Sequence, residues 1–417
     1  MENQNYTKSV KHAKKEPETN TQDTAGILDG ITLFRFAHIW MNNSSGGVEA
    51  YLNNLNRNLL QRNRMRILQM YLETADTPLK LEIEPIGRGE LVWIPSVLKS
   101  NHEQHPNIIQ KVWAKVRRFK SNQLNICHDF LVSILNSYRI NLGVFHWISE
   151  DSPIILDFLN KVQVPFVVVN HFQNSRLKIP CIRRQILDAR AVGGVSNVGV
   201  PGFVRNRFTN LSDGVDTDFF CIEKAEPLEK KIAQPVILLP ARITLEKGHL
   251  DAIKALKLLS HWGLNAELVF VGRYQENPVF MNQLQQVISE ERLQERVSFT
   301  GEICPVTLRN WYAAASVVIL PSYSEGLGKV LLEAQAMERP VVAYEVGGIS
   351  SALNHGVGGF LVKKGNIEGF ASILKELLKN DNMRRTVGTN GRNFIVERFT
   401  LDALTTRHEN FYAKYLK

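Results

Sequence analysis

No run of about eighteen apolar residues occurs anywhere in the 417-residue chain, so the sequence predicts no membrane-spanning helix. The opening stretch, MENQNYTKSVKHAKKEPETNTQDTAG, lacks the apolar core of a secretory leader. Its polar, aromatic-poor composition predicts a disordered tail over residues 1–28. Cysteine is scarce: Cys127, Cys181, Cys221 and Cys304 stand far apart and never as CxxC. That excludes a disulfide framework and a cysteine-held metal, and predicts reduced thiols in a cytoplasmic protein. No 20–50-residue repeat is present, which excludes a solenoid. The segment SSGGVE is not Gly-x-Gly-x-x-Gly, so the nicotinamide-dehydrogenase fingerprint is missing as well.

What is present begins with charge. The formal net charge is +9. Two basic stretches stand out, RNLLQRNRMR (57–66) and KVWAKVRRFK (111–120). In the second, Val112, Trp113 and Val116 form an apolar side with Lys111, Lys115, Arg118 and Lys120 around it. Such a helix suits either a solvated face of its own domain or an anionic membrane surface. No aromatic-interleaved basic motif accompanies it, so nucleic acid is not predicted as a partner.

Short apolar runs alternate with longer amphipathic ones. Strands are expected at 31–38, 65–72, 91–97, 141–147, 165–171 and 191–196, and again at 236–242, 266–272, 297–301, 316–322 and 340–346. Apolar strands alternating with helical patterns predict parallel sheets covered on both faces. The pattern occurs twice, broken by IEKAEPLEKKIAQP. The expected organisation is an N-terminal Rossmann-like domain over 29–221, a hinge over 222–235, a second such domain over 236–396 and a terminal helix over 397–417. Ligands of open parallel sheets bind at the carboxyl ends of strands, so the site is expected between the domains.

The most informative segment is PSYSEGLGKVLLEAQAMERPVVAYEVGGISSAL (321–353). Glu325 falls in a loop and Glu333 in the helix after it. Gly326 and Gly328 let backbone approach a ligand closely, and the loop feeds a helix N-terminus, where anions are favoured. Arg242 and Lys247 follow a strand at its carboxyl edge, placed to meet developing negative charge. Gly46 and Gly47 open the first long helix, leaving bare N–H groups for a phosphate. His171 and His146 each end a strand, and the residues alone leave both as candidates.

The 321–353 segment resembles the Glu-x7-Glu signature of the retaining glycosyltransferases of family 4. Further stretches are similar to that family's motifs: SGGVEAYLNNL (45–55), VVVNHFQ (167–173), SDGVDTDFF (212–220), ARITLEKGHLDAIKAL (241–256) and the terminal ERFTLDALTTRHENFYAKYL (397–416). Together the resemblance covers nearly all of residues 31–415. It implies the GT-B architecture, two Rossmann-like domains facing across an interdomain cleft, with the last helix crossing back to the N-terminal domain. It implies a nucleotide diphosphate sugar as co-substrate, with no cofactor and no metal. Glu333 is then the ribose ligand, Glu325 and His171 lie at the transferred sugar, and Arg242 and Lys247 serve the diphosphate. Gly46, Gly47, Gly326, Leu327 and Gly328 complete the donor site.

The acceptor is expected to be a glycan or lipid-linked sugar, on the N-terminal side, in assembly of a cell-surface polysaccharide or glycolipid. The place of action is then the cytoplasm, at the inner face of the membrane where the basic stretches engage it. Asp216 and Asp218 form Asp-x-Asp, a metal motif in a different glycosyltransferase fold, and are read here as a lookalike in an interdomain loop. Departures from the family pattern are Ala241 for a common Gly, Asp213 for Asn, Gly272-Arg273 for Gly-Asp-Gly, and Ser350-Ser351 where a Glu is common. A sugar-nucleotide epimerase, or a non-catalytic nucleotide- or glycan-binding relative, shares the fold. A glycoside hydrolase needs two carboxylates about 5–9.5 Å apart. Eight helical residues would spread Glu325 and Glu333 about 12 Å along an axis.

Overall fold

The computed structural model describes residues 26–36, 47–72, 81–96, 133, 137–146, 163–171, 174–178, 180–229, 234–274 and 278–416. Most of the expected tail, Gly46 and the basic stretch 111–120 lie outside the described residues.

Two sheets organise the chain. The first takes β1 (Thr32–Phe36), β2 (Arg66–Leu72), β3 (Glu82–Ile86), β4 (Gly89–Ser96), β5 (Leu142–Phe145), β6 (Phe166–Asn170), β7 (Ala191–Gly194) and β8 (Phe208–Asn210) in the order β3-β4-β2-β1-β5-β6-β7-β8. All its pairings are parallel except β3 with β4. The second takes β9 (Val236–Pro240), β10 (Glu267–Val271), β11 (Val297–Gly301), β12 (Val317–Leu320), β13 (Val341–Tyr344) and β14 (Gly359–Val362) in the order β11-β10-β9-β12-β13-β14, all parallel. That is the 3-2-1-4-5-6 order of a doubly wound sheet.

Parallel pairing follows from composition. VILLP, FVVVN, VVIL and VVAY are buried at every residue, which needs helices on both faces. β3 is the exception. It is EIEPI, half exposed, and its Pro85 sits on an edge where a missing N–H costs no ladder bond. No apolar run announces it, and the sequence reading omitted it, as it omitted β8 and β14.

The Leu401–Tyr415 helix, capped by Thr400 accepting from the Ala403 N–H at 3.1 Å, does not pack on the second sheet. Leu404, Phe411 and Tyr412 join Tyr51, Leu52, Leu55 and Leu59 of the Gly47–Arg62 helix in the core of the first. The chain segment between the sheets is held by two arginines of the last helices. Arg407 donates to the carbonyls of Leu211 and Asp213, and Arg392 to those of Phe220 and Thr217.

The carboxyl edges of the two sheets meet. Ser196, just past β7, lies 3.2 Å from Ser351 by their hydroxyls, and Gly348, past β13, has no room for a side chain against Ser196. Within the second sheet the winding reverses between β9 and β12, so the loops after those strands flank the crevice that such reversals create.

The basic stretch 57–66 is not an open cationic face. Arg57 pairs with Glu84, Arg62 with Asp402 and Glu409, and Arg66 with Glu90. Those contacts brace the first long helix and β2 against the hairpin and the terminal helix, and they account for three of the stretch's four arginines.

Candidate active site

The loop after β9 begins at the crevice. Arg242 is exposed there, and a short turn over Leu245–Lys247 leads into the His249–His261 helix through Gly248. Gly248 has φ +74°, and a Cβ on it would stand 1.9 Å from the carbonyl oxygen of Pro321. Only glycine lets the two loops come this close. Gly272, after β10, is equally crowded by the Ala241 carbonyl, at 2.2 Å.

The loop after β12 supplies the other wall. Lys247 Nζ and Glu325 Oε1 are 2.6 Å apart, with side chains 17% and 12% exposed. A pair this shielded keeps more of its Coulomb attraction than a surface pair. Gly326 lies under Gly348, whose Cβ would approach the Gly326 oxygen to 2.0 Å. Leu327 is buried beneath, and Gly328, at φ +86°, starts the Lys329–Ala336 helix. No side chain caps that first turn, in which the Leu331 N–H bonds back to the Gly328 carbonyl at 2.9 Å, and an uncapped helix start favours an anion in front of it.

Glu333, one turn in, is 8% exposed and accepts from the Tyr312 hydroxyl at 2.9 Å. Burial pushes its carboxyl above the usual range, while Lys329 and Tyr312 oppose that. Asp213 is also buried and also pushed up by burial, with Lys329 again opposing and the Gly214 N–H donating to it at 2.7 Å. Lys329 therefore serves two buried carboxylates, one from each side of the domain junction.

On the first sheet, His171 follows β6 and is partly exposed. His146, past β5, is buried, with its Nδ1 3.0 Å from Nε2 of His171 and the rings stacked at 5.3 Å. Of the two candidates, His171 is the outward one and His146 backs it. Behind them, Tyr51 lies edge-on to His171 and bonds to His408 of the terminal helix. His408 Nδ1 is 2.8 Å from the Tyr412 hydroxyl, which accepts from the fully buried Arg35 at 3.1 Å. Burial first, then the Arg35 charge, lowers all three histidines, His171 to about 3. They are neutral at ordinary pH, so what His171 presents is a hydrogen-bonding ring and not a cation. Gly47 opens the Gly47–Arg62 helix.

Of the residues singled out from sequence, Lys247 and Glu325 are in direct contact, with Gly326, Leu327 and Gly328 in the same loop and Glu333 one turn beyond. Arg242 stands at the adjoining strand end without touching them. Asp216 is used locally: its Oδ1 accepts from the N–H groups of Asp218 and Phe219 and closes a turn. Sequence reading missed Tyr312, Lys329, Tyr51 and His408. Lys329, four residues before Glu333 at a helix start, was the one with a readable signal.

Residues 222–394 match the family described as Glycosyl transferases group 1. That segment takes in the whole second sheet, β9 to β14. A capsular polysaccharide biosynthesis glycosyltransferase, CapM of Staphylococcus aureus, is 29% identical over 42% of this chain and 45% of its own. A D-inositol 3-phosphate glycosyltransferase of Xylanimonas cellulosilytica is 31% identical over 46% of this chain and 45% of its own. The matched segments thus span less than half the length of these curated relatives. Solved structures extend the likeness of fold to both domains. A glycosyltransferase from Rickettsia africae superposes with TM-score 0.70 at 19% identity, covering 93% of this chain and 99% of that one. HepE of Anabaena, solved with UDP-glucose, gives 0.67 at 17% identity, covering 92% and 100%. The fold is GT-B.

Proposed function

We propose that this chain is a retaining glycosyltransferase. It moves a hexosyl unit from a UDP- or GDP-sugar to a glycan or lipid-linked acceptor, without a metal ion. The observation that carries the reading is the shielded Lys247–Glu325 pair at the reversal point of the second sheet, beside the uncapped start of the Lys329–Ala336 helix.

In this reading the donor's diphosphate lies against that helix start and the first turn of the Gly47–Arg62 helix, with Lys247 and Arg242 as cations. As the bond from the anomeric carbon to the phosphate oxygen breaks, charge grows on the phosphate. Groups already aimed at that oxygen stabilise the transition state most. Glu333 accepts from the ribose hydroxyls, and neutral His171 bonds a hydroxyl of the sugar. Glu325 steadies positive charge at the anomeric carbon. The acceptor oxygen attacks from the face the phosphate leaves, and its proton passes to the departing phosphate oxygen, so the anomeric configuration is retained. The capsular and inositol-phosphate enzymes among the relatives support a role in glycan or glycoconjugate assembly, which we place at the cytoplasmic side of a membrane. Contact with anionic lipid is assigned chiefly to residues 111–120, because Arg57, Arg62 and Arg66 of the other stretch are paired. Flotation with anionic liposomes at low salt tests that part, and absence of binding removes it.

The central test is thermal melting with UDP, GDP or ADP in EDTA, for wild type and Glu333→Ala. A ligand at about 100 times its Kd adds about 2.7 kcal/mol to the folded state. One diphosphate is expected to raise the midpoint of the wild type by a few degrees and the variant to lose that rise. A shift that requires a divalent ion, or none with any diphosphate, overturns the reading.

A further inference from the structure

The loops that carry Lys247 and Glu325 are fastened to each other by contacts outside the pair. The backbone N–H of Tyr323, two residues before Glu325, donates to the carbonyl of Glu246 at 2.7 Å. Its hydroxyl donates to Oδ2 of Asp251 at 2.7 Å, and the same oxygen accepts from the hydroxyl of Tyr344, at the end of β13, at 2.8 Å. Asp251 lies in the first turn of the His249–His261 helix, four residues past Lys247, and is 7% exposed.

A carboxylate taken out of water is costly unless it is well hydrogen-bonded. Here the groups donating to it are two phenols that come from the ends of two neighbouring strands. Tyr323 is an unusual choice if the only need were burial, since its side chain remains substantially exposed and only its hydroxyl end is tied down. The two phenol rings meet edge to face at 6.0 Å, and Tyr344 leans in turn on Phe370 at 5.3 Å. The phenol bonds are insensitive to ordinary pH. Tyr323 is pushed up to about 12, by its bond to Asp251 first, and Tyr344 is raised further by burial, so both remain protonated donors.

We propose that Asp251, with Tyr323 and Tyr344, is a positioning cluster for the Lys247–Glu325 pair. The shared carboxylate locks the loop after β12 onto the loop after β9, so that the ammonium and the carboxylate meet a donor as one preset unit. The proposal rests on the reading of these loops as the donor site, and none of the three residues is a catalytic residue. Without the phenol–carboxylate bond, the stretch from Pro321 to Gly328 keeps its backbone bond to Glu246, the Gly248 and Gly348 contacts, the buried Leu327 and the ion pair, but loses its side-chain tie to the His249–His261 helix. Small displacements of positioned groups are known to cost about 100-fold in rate.

The test compares wild type with Tyr323→Phe, Asp251→Ala and Asp251→Asn by two measurements. The first is amide hydrogen exchange over residues 321–328, which reads loop fastening whether or not a substrate is known. The second is steady-state release of UDP from UDP-glucose, used as a probe donor. Tyr323→Phe and Asp251→Ala are expected to speed exchange in that stretch about 10-fold or more. They are expected to lower kcat about 10–100-fold while leaving KM within about threefold. Asp251→Asn keeps an oxygen that accepts from both phenols and is expected to restore most of both. Tyr323→Phe removes one hydroxyl from a partly exposed ring, so it keeps the test decisive if Asp251→Ala does not fold. Unchanged exchange in Tyr323→Phe overturns the proposal, as does Asp251→Asn behaving like Asp251→Ala. If wild type binds no nucleotide and releases no UDP, the donor-site reading fails, and the exchange data still decide whether the cluster joins the loops.

Discussion

At the scale of single residues, the site holds charge under tension. Glu333 is shielded from water and accepts from one phenol, and its carboxyl sits above its ordinary range because of burial, with the Lys329 charge opposing. A carboxyl whose folded pKa is raised costs stability once pH rises through its unfolded value near 4.5, since the fold then holds a charge it disfavours. Glu333→Gln should therefore hold or raise the stability of the ligand-free protein, by about 1 kcal/mol. It should also weaken UDP binding about 10-fold or more, because an amide presents one acceptor to the ribose diol where a carboxylate presents two. Melting curves with and without UDP measure both effects. A lower midpoint without UDP together with a full shift in its presence would sink the assignment. For Lys247, removal by Lys247→Ala should cost about 10²–10³ in donor turnover, the usual effect of deleting one group aimed at developing charge. Turnover within about threefold of wild type would remove it from the machinery.

At the scale of elements, the loops matter more than the strands that bear them. Gly248 and Gly348 each sit where a Cβ would collide with backbone, so the approach of the three loops is built into the chain's stereochemistry. The terminal helix has a comparable role on a larger span. Its Arg407 donates to three carbonyls, of Leu211, Asp213 and Arg398, pinning the segment that joins the sheets. Arg407→Ala should lower the unfolding free energy by about 2–3 kcal/mol, the loss of several charge-assisted bonds. Arg407→Lys should recover little, because one ammonium cannot span a fork's positions. Urea denaturation of both variants checks this, and a Lys variant equal to wild type would show that charge alone suffices.

At the scale of the molecule, the histidine cluster ties stability to pH. His146, His171 and His408 are held below the ordinary imidazole value of 6.5, His171 at about 3, by burial beside Arg35. Above pH about 6.5 they are neutral in both states and the fold keeps its full stability. As pH falls below that value, the unfolded chain takes up protons that the fold refuses. Each such histidine then costs about 1.4 kcal/mol per pH unit until its folded pKa is reached. Unfolding free energy should decline between pH 7 and 5, and His408→Gln should shallow the slope by about one proton's worth. A flat profile over that window would show that the cluster accepts protons when folded.

The sequence by itself determined the two-sheet architecture and the glycine-bearing loops after β9 and β12, because both depend on local rules. Buried strands need unbroken apolar runs, close backbone approach needs glycine, and the Glu325–Glu333 spacing is set within one loop and one helix. The same rules failed at β3, whose exposed, proline-bearing edge carries no apolar signature, and at β8 and β14, which have three and four residues. Only the tertiary structure decided partners across long separations. Tyr312 meets Glu333 from 21 residues away, Asp251 meets Tyr344 across 93, and Tyr51 meets His408 across 357. Those meetings depend on strand order and on where the last helix returns. Nothing local encodes either: the family resemblance picked His171 over His146, but only the sheet shows that His146 lies buried behind it.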